Sequence, residues 1–255
     1  MEKQIIILGC GFSGMLTALS FAKEDIKATI LEYQSINSDN FCTDIRTTAL
    51  TPASMQFLRG LNVWFEIEKI ASKMLGVYVV DNKAPEMLCM SNINGNDALG
   101  YIVKNSEFKK ILLANVRKNP LIKVIDQCGY KKVDSKLDHS TIYLDDNKTM
   151  NSDLLIVCDG RNSKVRQYYF FNKIEKAYNQ IALTFDIKHE KDHENCAIEH
   201  FMPSGPFAIL PLRDQKASSI IWTTGQEQAA LLMSLTKEEF EYLVSKSLFI
   251  KNFYL

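Results

Sequence analysis

A chain of 255 residues, 46% hydrophobic and 24% charged, has the composition of an ordinary globular protein with a sizeable core. Its 30 basic residues balance 30 acidic ones, so no charge excess points to nucleic acid, an anionic membrane surface or a solvating tail. The six cysteines form no C-x-x-C pair and several sit in apolar runs, which reads as free thiols in a reducing, cytoplasmic compartment.

The first element is "QIIIL" (4–8), a β-branched run suited to a buried parallel strand. "GCGFSG" follows and places Gly9, Gly11 and Gly14 in G-x-G-x-x-G spacing. The first glycine allows a tight turn, the second lets backbone approach a pyrophosphate, and the third lets helix and strand pack closely. "SGMLTALSFAKE" is the helix whose N-terminal amides would face the phosphates. "KATILE" (27–32) is a second strand. It ends in Glu32, about twenty residues beyond the glycines, where a ribose hydroxyl needs an acceptor. The uncharged stretch 5–22 also resembles a signal peptide or anchor. Against that stand Glu2 beside Lys3, the lack of a small-x-small site before "KEDIK", and three closely spaced glycines. The glycine pattern alone does not choose between NAD and FAD.

A polar loop occupies 33–44. The stretch 52–71 is apolar at helical spacing and predicts two short helices broken at Gly60. "GVYVVD" (76–81) alternates like a strand, and 105–119 is an amphipathic helix with an Asn cap candidate, stopped before Pro120. Segments 121–126, 140–146 and 152–160 read as strands, with "DDNK" as a hairpin-like turn between the last two. After about residue 178, four strand-like runs separated by polar or Gly/Pro turns predict an antiparallel sheet and a second lobe. Two helix-like pieces close the chain, the second with a capping box at Thr236 and Glu239.

Two patterns imitate chemistry. His189, His193, Cys196 and His200 have a zinc-like spacing, but they span a charged turn whose strands would not converge the side chains, so no metal is expected. Cys10 sits at a helix N-terminus, where a thiolate is favoured, yet inside the glycine turn packing is the better reading. No compelling Ser-His-Asp or nucleophilic Cys arrangement is present, and catalytic residues stay unassigned.

"LLIVCDGRNSKVR" (154–166) is a strand ending at Asp159-Gly160, with Ser163 and Arg166 on the following helix. It resembles the second fingerprint, D-G-x-x-S-x-x-R, of the class A flavoprotein monooxygenases. "DIRTTALT" (44–51), "LGYIVKNSEFKKIL" (99–112), "AYNQIALTF" (177–185) and "EHFMPSGPFAILPL…SSIIWT" (199–223) are similar to the ubiquinone-biosynthesis hydroxylases within that class.

The resemblance implies an α/β glutathione-reductase-like FAD-binding region, 1–73 and 100–176. This would be interrupted by an antiparallel β-sheet substrate lobe, 74–99 and 177–255. Carried over residue by residue, Gly9, Gly11, Gly14 and Glu32 would hold the ADP half of FAD. Arg46 would be a flavin-proximal cation able to neutralise a pyrophosphate, and Asp159-Gly160 would contact the dinucleotide. The implied reaction hydroxylates a polyprenylated phenol, with NAD(P)H as co-substrate reducing FAD and dioxygen supplying the inserted atom. A polyprenyl tail implies access from the membrane surface, and membership of a ubiquinone-biosynthesis complex stays open. The family's third fingerprint, with its Gly-Asp dipeptide, is absent from this sequence, so its end reads as incomplete. A non-catalytic remnant, or a half-protein needing a partner chain, is therefore the alternative; an NAD-dependent dehydrogenase is a weaker one.

Overall fold

The computed structural model describes residues 3–81, 87–91, 97–169 and 171–247. The chain divides into two compact units. One comprises Met1–Thr43, Leu58–Glu66 and Ser106–Glu175; the other comprises Asp44–Phe57, Ile67–Asn105 and Lys176–Leu255.

In chain order, strand β1 is Ile5–Leu8, helix α1 Phe12–Lys23 and strand β2 Ala28–Leu31. After a 3-10 turn at Asp39–Cys42 come β3 (Thr47–Leu50), α2 (Pro52–Gly60) and α3 (Trp64–Glu68). The break expected at Gly60 is where α2 ends. Strands β4 (Ser72–Met74), β5 (Gly76–Asp81), β6 (Leu88–Ser91) and β7 (Gly100–Lys104) lead into α4 (Asn105–Lys118). Next are β8 (Ile122–Ile125), β9 (Tyr130–Ser135), β10 (Ser140–Leu144), β11 (Thr149–Ser152), β12 (Leu154–Val157) and the short α5 (Lys164–Tyr168). Strands β13 (Gln180–Lys188), β14 (Cys196–Met202), β15 (Gly205–Pro211) and β16 (Ala217–Gly225) precede α6 (Gln226–Ser234) and α7 (Lys237–Ser247).

The first unit is built on a wholly parallel sheet of order β12-β1-β2-β8. All four residues of β1 are at most 6% exposed, as a central strand covered on both faces must be. Ile6 and Leu8 pack with Val133, Ile142 and Leu144 of the antiparallel sheet β11-β10-β9, and with Val165. Alternation turns Ile5 and Ile7 to the opposite face. Helix α1, whose Met15, Ala18, Leu19 and Ala22 are buried, packs along β1, β2 and β8. The sequence reading of the hairpin needs correction. The turn after β10 pairs it with β11, not β12, and β12 runs instead beside β1. Strand β11, "TMNS", has one apolar residue and gives no alternating signal, whereas "LLIV" is visible as a run. Strand β12 is an edge of this sheet among the described residues, with Leu154 46% and Val157 39% exposed.

The second unit holds a six-stranded sheet of order β13-β16-β15-β14-β5-β6 and a small antiparallel sheet β3-β7-β4. The large sheet is antiparallel as expected, except where β14 lies parallel to β5. One face carries the core: Ile198, Phe207, Ile209, Ile220 and Trp222 pack with Leu232 of α6 and Val244 of α7. The capping box forms, Glu239 N–H donating to Thr236 Oγ1 and Thr236 N–H to the Glu239 carboxylate.

Candidate functional site

The glycine turn joins β1 to α1 under severe steric limits. Gly9 N–H donates to Leu31 O at 2.8 Å, and Cys158 N–H to Leu8 O at 2.8 Å, which fixes the turn between the ends of β2 and β12. Gly9 has φ +98°, and a Cβ there would lie 2.4 Å from Cys158 O. A Cβ on Gly14 would lie 1.9 Å from Gly9 O, so the first turn of α1 rests directly on the strand end. Gly11 differs. It caps α1 in extended conformation, and a Cβ there would meet nothing within 4 Å among the described residues. The first turn of α1 has no acidic residue and no side-chain cap bond, so its amides are left for an external acceptor.

Glu32 ends β2 with its carboxylate turned into the glycine turn, 5% exposed. One oxygen accepts Cys10 N–H at 2.7 Å and the other Gln34 N–H at 2.9 Å. Cys10 itself is fully buried, and its thiol is pushed up to about 12, first by burial and then by Glu32. That makes it packing, not a nucleophile.

The second fingerprint lies at the end of β12. Asp159 Oδ2 accepts the Tyr130 hydroxyl at 2.5 Å and Lys164 N–H at 3.0 Å. Burial, then the Asp159 carboxylate, pushes the Tyr130 hydroxyl well above the usual phenol range; Tyr130 thus stays a neutral donor. Gly160 takes φ +88° with open space where a Cβ would be. Ser163 Oγ accepts Arg166 N–H and caps α5, and the Arg166 guanidinium donates to Arg161 O. A cleft of about 530 Å³ is lined by Ser13, the Val157–Gly160 segment, Ser163, Arg166 and Phe171. Ser13 belongs to the glycine turn, so the cleft joins both fingerprints. Its position has a topological cause. From β1 the chain moves through β2 to β8 on one side, then crosses to β12 on the other. The carboxyl ends of β1 and β12 flank that reversal, where parallel sheets open a crevice for ligands.

Arg46 belongs to the second unit. Its guanidinium holds the Asp44 carboxylate through Nε at 2.8 Å and Nη2 at 2.7 Å, with 69% of the side chain exposed. Asn105 Nδ2 and Arg46 N–H also donate to Asp44, so its carboxyl sits well below the usual range. Asn105, read as a cap candidate, spends its side chain here and on Thr48.

The zinc-like histidines hold fixed protein bonds. His193 is 1% exposed; its Nδ1 accepts Asn195 N–H, so Nε2 carries the proton and donates to Leu212 O at 2.8 Å. His189 bonds Lys191 O and Ser218 Oγ. His200 is buried on the core face of β14. Its neighbour Glu199 points the other way, between Val79 and Ala208, and burial alone raises its carboxyl. An acid raised in the fold contributes stability at low pH that is lost as pH rises through its folded value. Glu199→Gln is therefore expected to raise Tm by about 1–2 °C near pH 7, the gain vanishing below about pH 4. Thermal melts across that range check it.

A doubly fingerprinted dinucleotide site on a parallel sheet, in a chain that also holds a mixed-sheet unit, is the architecture of flavin-dependent oxidoreductases. The family model for the FAD binding domain matches residues 2–253, and the chain belongs to that family. The chain is similar to ubiquinone hydroxylase UbiL of Rhodospirillum rubrum, 26% identical over 93% of this chain and 55% of that protein. It is also similar to the mitochondrial ubiquinone biosynthesis monooxygenase COQ6. The Drosophila melanogaster protein is 28% identical over 92% of this chain and 52% of its own length. The Homo sapiens protein is 30% identical over 76% and 44%. The chain thus spans about half the length of the curated relatives it matches. Among solved structures it shares the fold of PqsL, a probable FAD-dependent monooxygenase from Pseudomonas aeruginosa. There the TM-score is 0.75 at 14% identity, over 93% of this chain and 64% of that one. The flavin-dependent halogenase CmlS gives 0.75 at 18% identity, over 97% and 46%.

The residues fit FAD. Open space at Gly11, free first-turn amides and the buried Glu32 acceptor suit a pyrophosphate and an adenosine ribose. Spacing alone revealed these groups. It missed Tyr130, which reaches Asp159 from β9, a strand absent from the sequence reading.

Proposed function

We propose that the chain belongs to an FAD-dependent monooxygenase that hydroxylates a polyprenylated phenol in ubiquinone biosynthesis, using NAD(P)H and dioxygen. The observation that carries this reading is the meeting of both fingerprints in one cleft at the β1/β12 reversal. The names of the relatives UbiL and COQ6 support the substrate class. In this reading the first unit holds the cofactor and the second, with its large sheet, receives the phenol. Gly9, Gly11 and Gly14 shape the pyrophosphate seat, Glu32 accepts from ribose, and Asp159-Gly160 border the cleft. FAD, when bound, supplies the redox and oxygen-transfer chemistry. The chain's own groups bind and orient it: Tyr130 holds the Asp159 carboxylate in one rotamer, and Lys164 N–H fixes its second contact. The tail of such a substrate favours approach from the membrane surface; no helix among the described residues is long and apolar enough to cross one.

A second reading is favoured by the exposed Leu154 and Val157 on edge strand β12: the cofactor seat is completed by further polypeptide along that edge. One titration separates the two. The purified chain is mixed with FAD while flavin fluorescence and the visible spectrum are followed. The first reading expects binding with a Kd of about 1 µM or tighter. A folded chain that leaves the flavin free overturns it in favour of the second.

A further inference from the structure

A pyrophosphate brings two negative charges to a turn that already holds the buried Glu32 carboxylate, and the first turn of α1 contains no basic residue. Burying like charges together is costly unless a cation stands close. Within the first unit, helix α4 supplies one. The Phe108 ring stacks on Phe12 with centroids 4.9 Å apart, and Phe12 is the first residue of α1 after Gly11. That stack brings the adjacent residue, Lys109, to the same end of α1. The Lys109 ammonium donates to Phe41 O at 2.7 Å and lies 3.5 Å from the centre of the Phe41 ring. Phe41 is 4% exposed, so the ammonium is docked against a fixed wall. Its field reaches the glycine turn, where Lys109 and then Arg117 favour the charged form of the Cys10 thiol against burial and Glu32. Arg117 is engaged with Ile36 O and Asn37 Oδ1. Lys109 has three donors and one is used on Phe41 O, which leaves it able to bind an anion.

We propose that Lys109 is the counter-ion of the FAD pyrophosphate, held in place by Phe41 and by the Phe12–Phe108 stack. The proposal rests on the FAD reading above. A cation on α4 compensates for a glycine turn that holds the buried Glu32 carboxylate, and Phe41 fixes the lysine through its carbonyl and its ring.

The test is binding of FAD and of riboflavin, which lacks the pyrophosphate, to wild type, Lys109→Met, Lys109→Gln, Lys109→Arg and the exposed control Lys23→Met. Each is measured at low and high ionic strength, with circular dichroism to confirm folding. Lys109→Met and Lys109→Gln are expected to weaken FAD about tenfold and to flatten its salt dependence. Riboflavin binding should not change, Lys109→Arg should retain most FAD affinity, and Lys23→Met should behave as wild type. Equal FAD affinity in wild type and both neutral variants overturns the proposal; so does an equal loss for FAD and riboflavin, which would mean the lysine only supports the fold. Failure of wild type to bind FAD at all is a different result, and removes the FAD reading itself.

Discussion

Replacing Gly14 by alanine is expected to destabilise the chain by about 3 kcal/mol or more, a fall in Tm of roughly 10 °C, and to abolish FAD binding with it. The added Cβ would sit 1.9 Å from Gly9 O and 3.0 Å from Gly9 C, both backbone atoms. Gly9 cannot give way. Its N–H is bonded to Leu31 O, its φ is +98°, and Cys158 O already closes its own Cβ direction at 2.4 Å. Gly11→Ala makes the contrast. Its φ is −76° and its Cβ direction is open among the described residues. The loss of a glycine cap there costs up to about 1 kcal/mol. FAD affinity should nevertheless fall at least about tenfold, because the methyl takes the space offered to the pyrophosphate. Thermal melts and flavin fluorescence on both variants separate helix–strand packing from room for the ligand. A Gly14→Ala protein as stable as wild type would mean α1 is not pressed onto β1. A Gly11→Ala protein that binds FAD normally would remove the pyrophosphate from this turn.

These glycines were legible in the sequence because their steric demands are local: a tight turn, a close approach and a helix seat within six positions. Glu32 was legible because the second strand of such a unit ends next to the first. What escaped the sequence depends on distant pairings. Strands β4, β9 and β11 are three to six residues long, mix polar with apolar side chains, and gain their places from partners in the sheet. As an apolar run "LLIV" outweighs "TMNS" and draws the hairpin reading to β12, whereas the turn pairs β10 with the weaker segment. Arg46 was visible as a guanidinium after a polar loop, but its bidentate bond to Asp44 is a matter of side-chain geometry. Lys109 had no motif. Its relation to the glycine turn passes through a ring stack between two helices far apart in the chain.

Glu32 carries the second large effect, because one carboxylate serves both fold and ligand. Each oxygen already accepts one backbone N–H, from Cys10 and from Gln34, and each keeps a second lone pair. Glu32→Ala leaves two donors unpaired at a 5% exposed position, which should cost about 2–4 kcal/mol. Glu32→Gln keeps one acceptor but sets an amide NH2 against the other N–H, so a smaller loss of about 1–3 kcal/mol is expected. The ligand's share is isolated by an FAD analogue whose adenosine ribose lacks the 2′-hydroxyl. If Glu32 accepts from that hydroxyl, wild type should bind the analogue about tenfold more weakly than FAD, while Glu32→Gln should bind the two alike. The interaction then shows as a coupling between a protein change and a ligand change, which a general loss of stability does not produce. If the analogue is penalised equally in both proteins, Glu32 only clamps the glycine turn, and the ribose must be held elsewhere.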